Sequence, residues 1–145
     1  MVTYADTTIL VSVYAFEDMA EEARKLLSGL LHPVLLNGFL WLEMRNAIRR
    51  KVSSGKATKA QTNEMLNELE RSIQEGVLDF REIDFRSAFD RAEDLSARFT
   101  EKLNIRASDL LHVAIAIETG CRAFLTFDKD QAKLAKAAGL VIKTK

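Results

Sequence analysis

Cysteine is almost absent from this chain: Cys121 is the only one. A lone thiol builds neither a disulfide framework nor a thiolate zinc site, which fits a reducing compartment. Histidine is nearly as scarce. His32 and His112 are too few and too far apart in sequence for a His-rich metal site. Neither sign of charge prevails. Lys and Arg together count 21, as do Asp and Glu, so any case for nucleic acid must rest on a local patch and not on a global field. Long hydrophobic runs are missing too. The apolar run Ile9–Val13 is interrupted by Ser12, follows no basic segment and leads into acids. Neither a signal peptide nor a membrane span is expected, and the chain reads as cytoplasmic. No repeat, low-complexity tract or linker is present. The 145 residues suffice for one domain, 1–145, with a substantial core.

What is present alternates between short β-prone runs and helical patterns. Val2–Ala5 reads as a strand ending at Asp6. Thr7–Tyr14 is β-branched enough to extend it, but that would leave Asp6 in mid-sheet, so a turn into a short buried helix is expected. Residues 17–31 place acids first and bases last, the order a helix dipole favours. Val34–Leu36 is a second strand and Asn37-Gly38 a turn. A helix follows from Phe39 to Val52, with Leu40, Met44, Ala47 and Ile48 at helical spacing. Thr58 can cap a helix over Lys59–Gln74, which Gly76 ends. Val77–Ile83 is the third strand, and Asp84 or Arg86 opens a helix reaching Phe99. Asn104–Gly120 reads as a helix apolar on nearly every side, hence buried, with Gly120 at its stop. Arg122–Thr126 is a fourth strand, Lys129–Ala138 a helix stopped by Gly139, and Leu140–Ile142 a last strand. Five strands alternating with seven helices make an α/β fold, one parallel sheet covered on both faces.

Four acids stand out on that plan. Asp6 ends the first strand, Glu43 lies early in the helix after the second, Asp109 opens the apolar helix, and Asp128 follows the fourth strand. In an open parallel sheet the carboxyl ends of the strands and the helix N-termini share one edge, where ligands bind. Carboxylates gathered there repel one another, and a hard divalent cation with oxygen ligands relieves this. Such an ion activates water and suits phosphodiester hydrolysis. Taken singly, each acid also has a local use. Asp6 suits a strand-end turn, and Glu43 can pair with Arg50. Asp109 can cap its helix or pair with Arg106. Asp128 and Asp130 can both cap the last helix, Asp130 more readily.

The segments YADTTILVSVY, WLEMRNAIRRKV, IRASDLLHVAIA and FLTFDKDQAKLAKAAGL resemble, in order and from Tyr4 to Leu140, the successive motifs of PIN domains, most closely the VapC-type toxins. The resemblance implies a three-layer PIN-like fold with a five-stranded parallel sheet in the order 3-2-1-4-5. It implies metal-dependent RNA cleavage, with Asp6, Glu43, Asp109 and Asp128 holding Mg2+ or Mn2+. Thr126 and Thr7 match positions that support these carboxylates by hydrogen bonding. His112 matches a common position, where packing is the readier role. The residues LNGFLWL depart from the small polar residues expected there, and Trp41 is expected to pack in the core.

Residues 45–59 carry Arg45, Arg49, Arg50, Lys51, Lys56 and Lys59 without an acid. They suit an RNA backbone or a solvated helix face. The resemblance adds an antitoxin protein and a second copy of the chain as partners, and a symmetric dimer is also the common case. The reading is therefore a divalent-metal-dependent endoribonuclease, the toxin of a type II toxin–antitoxin system. A housekeeping RNA-processing nuclease and a non-catalytic binding module are the alternatives. A haloacid-dehalogenase-type phosphatase would want Asp-x-Asp after the first strand, where position 8 is Thr.

Overall fold

The computed structural model describes residues 1–143. Its contacts divide the chain into two compact units: a terminal unit, Met1–Asp6 with Ile83–Lys145, and a middle unit, Thr7–Glu82.

The terminal unit is built on a parallel ladder. Strand β1 (Thr3–Ala5) pairs with β4 (Ala123–Leu125), and β4 pairs with β5 (Val141–Ile142). Helices α5 (Phe85–Phe99), α6 (Ala107–Glu118) and α7 (Lys129–Ala137) complete it. Every residue of α6 from Asp109 to Ala116 is buried, as its all-round apolar pattern requires. Tyr4 stacks on Phe124 with ring centroids 5.3 Å apart, at the centre of a core that includes Leu95, Ile115 and Leu134. Helix α6 begins at Ala107, not at Asn104, because Arg106 is still extended (φ −92°, ψ 157°). It ends in a Schellman turn, with Gly120 N–H donating to Ile117 and Cys121 N–H to Ala116. Gly120 supplies the left-handed residue this needs, at φ +80°.

The middle unit pairs β2 (Val34–Leu36) with β3 (Leu78–Phe80), also in parallel. Its helices are α1 (Thr7–Tyr14), α2 (Ala20–Ser28), α3 (Gly38–Ser53) and α4 (Lys59–Gln74). Ile9, Leu10, Leu36, Leu40, Met44, Ile48, Leu69 and Leu78 are its largest fully buried side chains. Asn37 Oδ1 caps α3 by accepting from the N–H groups of Phe39 and Leu40 at 2.9 and 3.0 Å. Thr58 and Gln61 form a reciprocal capping box at the start of α4.

Seven helices and five parallel strands among the described residues agree with the expected α/β, PIN-like class. Of the order 3-2-1-4-5, the segments β3-β2 and β1-β4-β5 form, each as a separate hydrogen-bonded sheet. Three further local expectations need correction. Strand β3 is shorter than Val77–Ile83: its partner β2 ends at Leu36, where Asn37 turns away to cap α3. Helix α2 begins at Ala20 and not at residue 17, because a turn closed by Ala20 N–H on Glu17 O comes first. Trp41 is half-buried and not a core residue: its ring meets Phe80 edge-on at 6.2 Å and carries the Arg45 guanidinium at 5.0 Å. No helix of the described residues is long and apolar enough to cross a membrane.

Candidate active site

Three of the four acids lie in the terminal unit, and the β1–β4 ladder sets the first of them. Asp6 N–H donates to Leu125 O at 3.1 Å, one residue beyond the Ala5–Leu125 pair. That places Asp6 beside Thr126 at the carboxyl edge of both strands. Thr126 Oγ1 donates to Asp6 Oδ2 at 2.6 Å and accepts from the Asp128 N–H at 3.0 Å. Asp6 is 3% exposed and Thr126 2%. A carboxylate at such depth requires donors, and the hydroxyl aims its single proton at one.

Asp128 is the N-cap of α7. Its Oδ1 accepts from the N–H groups of Asp130 and Gln131 at 2.9 and 3.3 Å. The cap is therefore Asp128 and not Asp130, which lies within the first turn. Asp128 Oδ2 faces Arg106 Nη2 at 3.9 Å.

Asp109 is the third residue of α6 and is buried. Its Oδ2 accepts from the backbone N–H of Arg106 at 3.2 Å and lies 3.6 Å from Arg106 Nε. Arg106 has no acceptor with which to return a capping bond, so Asp109 reaches back to the helix start alone. His112, one turn further, is 4% exposed and holds Nδ1 2.8 Å from the Tyr4 hydroxyl. It is a packed histidine within the core.

Glu43 and Thr7 belong to the middle unit. Thr7 Oγ1 donates to Glu43 Oε1 at 2.6 Å, and both residues are half-buried. The basic stretch on α3 divides in use. Arg45 pairs with Glu70 at 3.2 Å and Lys51 with Glu17 at 3.1 Å, while Arg49 and Arg50 are exposed. Sequence reasoning saw Arg106 only as a neighbour of Asp109 at helical spacing. Its approach to Asp128 depends on where α7 begins relative to α6, which no local pattern carries.

The donors of the terminal unit fit a hard divalent ion in kind: carboxylate oxygens, two of the three on deeply buried residues, with a hydroxyl holding one of them. Among the described residues, no three or more His, Cys, Asp or Glu side chains stand together as a metal-holding group.

The comparisons bear on the fold and the family. No curated protein matches the chain in sequence. Among solved structures, FitAcB from Neisseria gonorrhoeae superposes with a TM-score of 0.71 at 17% identity, covering 99% of this chain and 97% of that one. VapBC2 from Rickettsia felis, bound to a DNA fragment from its promoter, gives 0.69 at 16% identity, covering 99% and 98%. VapC20 of Mycobacterium tuberculosis, a Sarcin-Ricin loop cleaving toxin, gives 0.68 at 16% identity and 96% of both chains. At such identities the likeness is one of fold. The family profile described as PIN domain matches residues 3–137, running from β1 through α7 and across both units. The chain belongs to the PIN-domain family.

Proposed function

We propose that this chain is a divalent-metal-dependent endoribonuclease and the toxin of a toxin–antitoxin pair, working as one PIN-like domain over residues 1–145. The observation that carries the reading is Asp6. It is a carboxylate buried to 3% exposure at the carboxyl edge of a parallel ladder, with Thr126 donating to it. Burying a charge there is costly, and a structural role would be served as well by an uncharged residue.

Mg2+ or Mn2+, held by Asp6, Glu43, Asp109 and Asp128, would supply water activation and charge stabilisation at the phosphate. The chain's own residues prepare for this. Thr126 fixes one oxygen of Asp6, and the N–H groups of α7 fix one oxygen of Asp128. In both cases a donor is aimed at one carboxylate oxygen, which sets its direction. Glu43 enters the reading through its sequence motif, and Thr7 fixes one of its oxygens.

RNA as the substrate class is supported by the family and by the cleaving activity named for the similar Mycobacterium toxin. Arg49 and Arg50, exposed on α3, suit the RNA backbone. Arg45 and Lys51 would first have to leave their acidic partners. The resemblance to VapC-type toxins supports an antitoxin partner and a homodimer, and the single cysteine suits a reducing, cytoplasmic setting.

The test is cleavage of a mixed RNA pool by the purified protein with Mg2+, with Mn2+ and with EDTA, beside Asp109→Asn. Cleavage should vanish in EDTA and fall about a hundredfold or more in the variant, since even supporting residues of metal sites cost 10–100-fold. Equal cleavage in EDTA, or by Asp109→Asn, overturns the reading. Absence of both cleavage and metal binding favours the binding-module alternative.

A further inference from the structure

Two carboxylates of the terminal unit already face a cation, and it belongs to the chain itself. Arg106 stands at the N-cap of α6 with 78% of its side chain exposed. Its Nε lies 3.6 Å from Asp109 Oδ2, and its Nη2 lies 3.9 Å from Asp128 Oδ2. Both separations exceed the roughly 2.7–2.9 Å of a charge-assisted hydrogen bond. The guanidinium therefore spans the two acids electrostatically, without gripping either in a bidentate fork. Its base is better fixed than its head. The Arg106 backbone N–H donates to the same Asp109 oxygen at 3.2 Å, which keeps the root of the side chain beside the acids. At these separations, with the guanidinium mostly in solvent, each pair is weak and exchanges readily.

We propose that Arg106 is a tethered counter-cation for Asp109 and Asp128 that competes with the divalent ion. It screens the two carboxylates in the metal-free protein and swings into solvent when the ion is held. The inference rests on the metal-dependent reading above and deepens it. Arg106 is a positioning residue on this account, since it sets how the acids are presented and how tightly the ion is retained.

Titration calorimetry of the full chain with Mn2+ tests it, on the wild type, Arg106→Gln and Lys129→Gln. Lys129 is exposed and adjoins Asp128, so its variant reports the general effect of removing a nearby positive charge. Arg106→Gln should bind Mn2+ on the order of threefold to tenfold more tightly, the range that displacing two weak pairs allows. Lys129→Gln should change affinity by less than about twofold. The rise in melting temperature on adding Mn2+ should be largest for Arg106→Gln, a readout independent of cleavage. Unchanged or weaker binding by Arg106→Gln, beside measurable wild-type binding, overturns this inference alone. Equal tightening by Lys129→Gln does so too. If none of the three proteins binds Mn2+, the metal-dependent reading fails and the inference fails with it.

Discussion

Asp6 and Thr7 are neighbours in the chain, yet each takes part in a hydroxyl–carboxylate bond in a different unit. Thr126 donates to Asp6 in the terminal unit, and Thr7 donates to Glu43 in the middle unit. Both bonds measure 2.6 Å. Their surroundings differ. Asp6 and Thr126 are almost fully buried, whereas Thr7 and Glu43 are half-buried. A buried donor that is removed leaves its partner to bear the desolvation, while a half-buried partner can turn to water. The same bond is thus a fixed part of the scaffold in one unit and adjustable in the other.

Substituting the two threonines by valine separates these cases. Thr126→Val removes the donor to Asp6 and the acceptor of the Asp128 N–H. It should cost about 1–3 kcal/mol of stability by urea unfolding. Thr7→Val should cost about 0.5–1.5 kcal/mol, the range of an ordinary hydrogen bond. Equal losses would show that burial does not set the difference. The helix starts extend the comparison. Asn37→Ala removes the side-chain cap of α3 and should cost about 1 kcal/mol. Arg106→Ala at the start of α6 should cost less, because Arg106 makes no side-chain cap there and its backbone N–H to Asp109 survives.

How much of this was legible in the sequence follows the same division. Asp109 is conspicuous because the helix that follows it, from Leu110 to Ile117, is apolar but for His112, and the structure buries it. Gly120 and Thr58 announce helix ends by local chemistry, and the ends form there. Glu43 sits among Arg45, Arg49 and Arg50, so its sequence surroundings offered an arginine as partner, while the structure gives it Thr7. That contact depends on how α1 and α3 pack. The length of β3 was illegible for a similar reason, because a strand extends only as far as its partner, and β2 stops after three residues. Asp128 and Asp130 carry the same cap chemistry two positions apart. Only the extended backbone of Asp128 (φ −84°, ψ 118°) decides between them. Trp41 looked like core because it is large and apolar, but α3 turns its buried face through Leu40, Met44 and Ile48.

The last comparison concerns two helix ends that both close through a left-handed residue. Helix α6 closes with Gly120 at φ +80°. Helix α1 closes with the outer bond of that motif, Glu17 N–H donating to Ser12 O, but its left-handed residue is Phe16 at φ +53°. An L-residue in that conformation costs roughly 1–2 kcal/mol, and glycine gives part of the relief back through its looser unfolded chain. Phe16 is largely exposed, and its ring has the Arg24 guanidinium 5.9 Å from its centre, so replacing it also removes that contact. A pair of variants cancels this loss. Phe16→Ala and Phe16→Gly both lack the ring, and only the first keeps a Cβ in the left-handed region. Phe16→Gly should therefore be the more stable of the two by about 1 kcal/mol, read as the shift in urea midpoint at constant slope. Gly120→Ala should lose a similar amount, since no atom within 4 Å obstructs an added Cβ and only the backbone conformation opposes it. A Phe16 pair of equal stability beside a destabilised Gly120→Ala would mean that the turn after α1 relaxes its backbone where the turn after α6 cannot.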